Sequence, residues 1–255
     1  GVGLIVTGMV VSGLAHTSES FTLSSNGSTV RIRGIRVNSR KSDCAKAGER
    51  CALNITGRGV GEHSVRRGSW LMHSDLYNPT MRIDVDLEVL PAEAGTLKHW
   101  TLTHLHIGSD HLPARVAVLS GGSIAAGTRG LAQLVLFRET FVCHGDRFVL
   151  RDQSAQRTIA GGRVIDPFSP KRGRAKPSRI ASLKVMCGEN PAEILRELTD
   201  QCVTGVSLQP FAVSHNLPTL QINSLIASLE LRLVGNSPKE RIFSKKRWRE
   251  LSDRI

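Results

Sequence analysis

"ESFTLSSNGSTVRIRGIRV", residues 19–37, is the stretch that sets the reading of the fold. Two runs of alternating apolar and polar residues flank "SNGS" at Ser25–Ser28. Asn-Gly supplies the left-handed backbone of a tight reversal, so the stretch predicts a β-hairpin. Upstream, "GVGLIVTGMVVSG" at residues 1–13 alternates apolar residues with Gly and Thr and reads as a strand already under way. Downstream, "RCALNITG" and "GSWLM" add short strands, and residues 1–77 together predict a small closed β-barrel. A second set follows between Met81 and Asp166: "MRIDVDLEVL", "ARVAVL", "LAQLVLF" and "DRFVLRD". Regular strand spacing with Gly turns and no intervening helical pattern predicts a second barrel over 78–170 rather than a βαβ sheet.

The pattern changes at "PFSPKRGRAKPSR", Pro167–Arg179, which is rich in proline and basic residues and predicts a basic linker over 171–179. Beyond it the apolar period becomes helical, with Ile194, Leu195 and Leu198, then Leu220, Ile222, Leu225, Ile226 and Leu229. "LQPFAVSHNLPTLQINSLIASLE" divides into a helix, a turn at Asn216–Pro218 and a second helix, followed by "LRLV" and "ERIF" across "GNSP". That order predicts a winged helix-turn-helix over 180–255. The fold class is therefore mainly β: two β-barrels followed by an α+β winged-helix module.

Composition agrees with this plan. Of 255 residues, 40% are hydrophobic and only 4% aromatic, with 24 Gly, which suits strands built on Val, Ile and Leu. The formal charge of +12 exceeds what solubility needs and points to a phosphate-bearing partner, nucleic acid before anionic lipid. No run approaches the roughly 18 apolar residues of a membrane helix, so no membrane partner is expected. Cys44, Cys51, Cys143, Cys187 and Cys202 form an odd set with no CxxC pair. This argues against a disulfide framework or a zinc ribbon and fits a reducing cytoplasm.

Each chemical motif has a plain alternative. Gly1, Gly3 and Gly8 invite a phosphate loop, but neither G-x-x-x-x-G-K-[ST] nor G-x-G-x-x-G occurs in the chain. They are expected instead where barrel backbones approach closely, and no nucleotide cofactor is expected in this chain. "HLHIGSDH" places His104, His106 and His111 close together with Asp110. Such a set either presents imidazoles to a metal, as in a His-dependent metalloenzyme, or is a group of partly buried strand histidines; the second is expected. Arg31 and Arg33 in "VRIRGIRVNSRK" share one strand face, either solvated or turned to RNA. Trp248 in "KKRWRE" either stacks on a base or packs on its own domain, the second being expected.

"GVGLIVTGMVVSG", "VRIRGIR", "AKAGERCALNITG" and "RRGSWL", in this order, resemble domain II of the translational GTPases, the barrel beside the GTPase domain in elongation factor Tu. "HIGSDHLPARVAVL" and "HGDRFVLRDQSAQRTIAGGRVIDPFSPKRGR" resemble domain III, more narrowly that of the bacterial selenocysteine-specific elongation factors. The resemblance covers residues 1–180 by motif, and 180–255 by pattern stand where that family has its first winged helix. It implies binding of selenocysteyl-tRNA and its delivery to the ribosome at recoded UGA codons. GTP and Mg would be used by a GTPase domain in front of residue 1, and later winged helices would bind an mRNA hairpin. The chain would then lack both of these and would not hydrolyse GTP alone. A stand-alone β-barrel RNA-binding module is the alternative.

The same resemblance places Arg50 of "AGER" at the amino-acid pocket of domain II, where a fixed cation would favour an anionic selenolate over a neutral thiol or hydroxyl. An ordinary surface arginine is the alternative. It also makes Arg157 and Arg163 candidate tRNA phosphate contacts, beside Arg31 and Arg33, or else braces between the two barrels. Two turns depart from the family pattern. Ser18-Glu19 stands for a Gly-Asp, and Ser69 for the Asp of an Arg-Gly-Asp-Trp, which leaves their turn geometry open.

Overall fold

Short runs of Val, Ile and Leu give the strands of the first unit: β1 (Leu4–Met9), β2 (Leu14–His16), β3 (Ser20–Leu23), β4 (Thr29–Val37), β5 (Arg40–Ser42), β6 (Cys44–Lys46), β7 (Arg50–Thr56) and β8 (Leu71–Met72). The structure, a computed structural model, describes residues 3–93 and 95–253. Its contacts divide the chain into two units, Gly1–Pro79 and Thr80–Ile255.

The hairpin at 19–37 forms as the sequence predicts, with Phe21 opposite Val30 and Thr22 opposite Thr29. Gly27 closes the turn at φ 71°, and its N–H donates to Leu23 O at 2.9 Å. Strict alternation would fail after Arg33, because Ile32 and Ile35 differ by an odd number. The β4–β7 register shifts between Ile32 and Gly34, and this bulge returns Ile35 to the core. It also leaves Arg31, Arg33 and Arg36 exposed together.

The expected closed barrel over 1–77 is realised differently. The sheet runs β1-β7-β4-β3-β8 with β5 on β4, and β2 and β6 form a separate ribbon, so the ladder stays open among the described residues. It curls over Leu23, Val30, Ile32, Ile35, Ala45, Cys51 and Ile55, and each fully buried aliphatic side chain stabilises by about 1.5–3 kcal/mol. The "GVGLIVTGMVVSG" strand is present as β1, with Leu4 opposite Ile55 and Met9 opposite Arg50. Gly1 lies outside the described residues. A Cβ at Gly3 would stand 2.1 Å from Asn54 Oδ1, so glycine serves close packing there, as expected, whereas a Cβ at Gly8 would meet nothing within 4 Å, so no close approach requires glycine at that position.

The two departures from the family pattern keep their turns. Ser18 takes the glycine-like backbone itself, at φ 73°, and Glu19 Oε2 accepts from His16 N at 2.8 Å. Ser69 Oγ accepts from Arg66 N at 3.1 Å, a turn bond that a short acidic side chain also makes.

The second unit begins with β9 (Thr80–Val89), β10 (Leu97–Lys98), β11 (Thr101–Ile107), β12 (Asp110–Val118), β13 (Ser123–Ile124), β14 (Arg129–Thr140), β15 (Arg147–Arg151) and β16 (Thr158–Asp166). Here the barrel closes, in the order β11-β12-β14-β9-β16-β15, around Ile83, Val85, Leu87, Leu105, Leu112, Leu134 and Leu150. The winged helix follows as α1 (Pro177–Met186), α2 (Pro191–Gln201), β17 (Val206–Ser207), α3 (Leu208–Ser214), α4 (Thr219–Ser228), β18 (Arg232–Val234), β19 (Arg241–Phe243) and α5 (Lys245–Ser252), with its sheet ordered β17-β19-β18. The helix, turn and helix read from 208–230 are α3 and α4. Helix α1 is an addition to that reading, since it starts at Pro177 and takes in the end of the 171–179 segment. Proline at its first turn lacks only an N–H that the helix leaves unused.

The barrel and winged helix share one apolar cluster, in which Leu119 and Ile165 of the barrel pack with Leu183, Ile194, Leu195 and Phe211. Arg179 of α1 also reaches into the barrel, where its Nη2 bonds Asp84 of β9 and, at 2.5 Å, Asp166 of β16. Gln133 Nε2 donates to the other Asp84 oxygen at 2.9 Å. Asp84 is fully buried, and burial pushes its carboxyl above the usual range while Arg179 draws it back. A neighbouring contact stacks His144, from the loop before β15, on His215 after α3, with centroids 4.4 Å apart. His144 N donates to Ser214 O at 2.7 Å, and its Nε2 lies 2.7 Å from Met186 O.

Candidate nucleic-acid interface

The outer face of the first unit is built by three adjacent strands. On β4, Arg31, Arg33 and Arg36 point away from the core, and Arg36 stands directly opposite Lys41 of β5. Like charges facing each other across a ladder repel and destabilise it, which concentrates positive potential on this face. Arg31 is held by its Nε donating to Ser18 O at 3.1 Å. On the neighbouring β7, Ala52 pairs with Arg36, which puts Arg50 two residues further along the same face.

Arg50 itself is exposed, and its side chain makes no hydrogen bond or ion pair among the described residues. Its neighbour Glu49 is spent on the turn, where Oε2 accepts from Lys46 N at 2.8 Å. Across the ladder Arg50 faces Met9, 63% exposed, with Val11 just beyond, 65% exposed. The result is a free guanidinium beside uncovered apolar side chains.

In the second unit the candidate arginines are occupied. Arg157 Nη1 bonds Glu93 Oε1 at 3.3 Å and its Nε bonds Asp152 Oδ2 at 3.4 Å, which closes the turn before β16. Arg163 on β16 reaches Glu189 Oε1 at 3.0 Å, Cys187 O, and Asp86 Oδ2 at 3.9 Å. It thereby ties the barrel to the α1–α2 turn within this unit. Arg157 remains 65% exposed along its side chain, whereas Arg163 is 27% exposed.

The histidines sit as ordinary strand residues. His106 and His111 pair across β11 and β12, with ring centroids 5.8 Å apart, and His104 faces Pro113. Burial and the neighbouring Arg151 lower the His106 pKa. Asp110 is taken by Arg138, whose Nη2 bonds its Oδ1 at 2.5 Å. Among the described residues no group of three or more His, Cys, Asp or Glu is arranged to hold a metal. All five cysteines are free, and burial pushes the Cys143 thiol up to about 12, which keeps it protonated. Trp248 packs within the winged helix, edge-on to Phe243 at 5.6 Å and beneath the Arg232 guanidinium at 4.4 Å.

Sequence reasoning passed over Arg36 and Lys41, although both lie in the quoted basic run. Their pairing depends on the β4–β5 register, for which Asn38-Ser39, both at positive φ, was the available signal. No helix among the described residues is long and apolar enough to cross a membrane.

Residues 82–171 match the β-barrel domain of selenocysteine-specific elongation factors. The chain is 32% identical over 214 residues to the selenocysteine-specific elongation factor of Escherichia coli (strain K12), covering 84% of this chain and 31% of that protein. It is 33% identical over 171 residues to that of Desulfomicrobium baculatum, covering 67% of this chain and 27% of that protein. A crystal structure of a bacterial selenocysteine-specific elongation factor, EF-Sec, superposes on the whole chain with a TM-score of 0.72 at 19% identity, using 39% of its own length. A structure of sup35 complexed with GDP covers 64% of this chain and 44% of its own, with a TM-score of 0.57 at 18% identity. The chain spans about a third of the curated relatives it matches. By these matches, and by the barrel they share with it, the chain belongs to the family of selenocysteine-specific elongation factors.

Proposed function

We propose that this chain serves in a cytoplasmic selenocysteine-specific elongation factor that binds selenocysteyl-tRNA and delivers it to the ribosome at recoded UGA codons. Related proteins carry that name along most of this chain, and the fold is the one found in EF-Sec. The observation that carries the proposal is the exposed basic outer face of the first unit, with Arg31, Arg33, Arg36 and Lys41 beside Arg50. In this reading Arg31, Arg33 and Arg36 meet phosphates, with exposed Arg157 as a further contact. Arg163, spent on Glu189 and Cys187 O, serves instead as a brace within its unit. GTP and Mg belong to a GTPase domain of the whole factor; the chain has no G-x-x-x-x-G-K-[ST] loop, and no hydrolytic step is assigned to its residues. An mRNA hairpin is likewise a partner of the whole factor.

Arg50 is the proposed selector of the amino acid. A selenol ionises below a thiol, so selenocysteine is an anion at neutral pH, while cysteine, near pKa ~8.5, and serine stay neutral. The exposed Met9 and Val11 offer apolar contact to the side chain, and the free guanidinium offers the charge. A charge-assisted contact contributes about 1.5–3 kcal/mol, which corresponds to roughly 10- to 100-fold preference. Arg50→Ala in the complete factor should weaken selenocysteyl-tRNA by that factor and leave seryl-tRNA on the same tRNA body unchanged, as read by titration of each aminoacyl-tRNA. Equal losses for both would overturn the assignment.

A further inference from the structure

Trp100, between β10 and β11, is a bulky aromatic residue held at φ 72°, a backbone region that suits glycine. The surrounding bonds fix it there: Trp100 N donates to Val116 O at 2.7 Å, His99 N to Gly122 O at 2.8 Å, and Arg115 Nη1 to Trp100 O at 3.3 Å. Trp100 is nonetheless 42% exposed. His99 stacks near it, with centroids 5.5 Å apart and planes 14° from parallel, and the Arg174 guanidinium lies 5.2 Å from the ring centroid.

Arg174 brings a basic segment with it. Gln133 Nε2 donates to Pro170 O at 3.2 Å and Gln133 Oε1 accepts from Arg174 Nη1 at 3.4 Å, so residues 170–174 are strapped to the barrel beside Trp100. Lys171, Arg172 and Lys176 are exposed on this strap. None of Lys98, Arg115, Lys171, Arg172, Arg174 and Lys176 forms an ion pair among the described residues. The nearby acids Asp84 and Asp166 are taken by Arg179.

We propose that Trp100, Arg174 and the strap at Lys171–Lys176 form an RNA-contact site, in which an unstacked base lies against the Trp100–Arg174 platform and the strap's cations meet the backbone phosphates. An exposed indole and a planar guanidinium both offer flat faces to a base, and unpaired cations around them attract the strand. An acidic protein surface would use the cations but leave the strained, exposed ring without a role. The site rests on the reading of the chain as part of an RNA-binding factor and adds to it, on the second unit, a base-stacking contact distinct from Arg157.

The test is fluorescence anisotropy of the 255-residue chain with a fluorescein-labelled single-stranded oligoribonucleotide of about ten nucleotides, over a range of salt. Trp100→Gly, with the residue that φ 72° suits, should keep the thermal midpoint and weaken RNA binding about fivefold or more. Trp100→Phe, which keeps a stacking face, should stay within about twofold of the parent. Lys171→Glu with Arg172→Glu should flatten the slope of log K against log salt by about 1.4, two phosphate contacts at roughly 0.7 each for a single strand. The salt slope and Trp100→Phe decide the matter even where Trp100→Gly fails to fold. Parent-like binding by both Trp100→Gly and the double charge variant, with Lys41→Glu weakened, overturns this site and leaves the proposed function standing. Absence of RNA binding by the parent chain overturns this site and leaves the proposed function, tested on the complete factor with aminoacyl-tRNA, standing. Polyglutamate competing as well as RNA overturns the choice of RNA as partner.

Discussion

Arg179→Met should expose the cost of the carboxylates buried around it. In the native chain Asp84 is fully buried and Asp166 is 6% exposed, and Arg179 of α1 bonds both. Methionine keeps much of the side-chain volume and removes the charge, leaving two anions in the barrel wall with Gln133 as a remaining donor to Asp84. Breaking a buried ion pair from one side costs about 3–5 kcal/mol, since the stranded charge keeps its desolvation penalty. For a unit of this size each kcal/mol moves the melting midpoint by roughly 2–4 °C, so a fall of about 6–20 °C is expected at pH 8. The pH dependence gives the sharper check. Burial and Asp166 both raise the Asp84 pKa, and Arg179 is the principal opposing influence. Without it, folded Asp84 holds its proton more tightly than the unfolded chain does, and stability then rises as pH falls toward the raised pKa. Calorimetry of parent and variant at pH 8 and pH 5 should therefore show a deficit that shrinks at pH 5. A loss below about 1 kcal/mol, or a deficit equal at both pH values, would refute the reasoning.

Two further outcomes are expected from the same packing. Burial, with the His144 charge, lowers His215 from 6.5 to about 4, so the folded chain declines a proton that the unfolded chain accepts. Stability should be lost as pH falls from about 6.5 to about 4, by at most roughly 3–4 kcal/mol, and His215→Phe should flatten that part of the urea-unfolding profile. Ser18 sits at φ 73°, where a Cβ costs about 1–2 kcal/mol and glycine costs nothing but its greater unfolded-state freedom. Ser18→Gly should thus raise the stability of the first unit by about 0.5–1 kcal/mol in urea unfolding; a loss would show that Ser18 is not strained.

Much of this architecture was legible in one dimension. The Asn26-Gly27 turn, the alternating runs and the helix, turn and helix at 208–230 are local patterns, each decided by a few neighbouring residues. Helix α1 was less so, because its first turn, Pro177 to Arg179, also completes a proline-rich basic run that reads as linker. Arg50 became a candidate through resemblance alone; nothing in its local sequence separates it from other surface arginines. Arg157 and Arg163 were found as cations, but their acidic partners lie up to 77 residues away, and only folding shows that those charges are already met.

The sequence by itself determined the order of modules, the positions of the turns and the surplus of positive charge, because turn chemistry, side-chain period and composition act over short distances or by simple sum. The tertiary structure decided which cations stay free and which are neutralised. It placed Arg36 opposite Lys41, left Arg50 open while Glu49 capped a turn, and buried Arg179 between Asp84 and Asp166. Charge pairing depends on distances of a few ångströms between residues remote in sequence, and those distances exist only once register and packing are fixed.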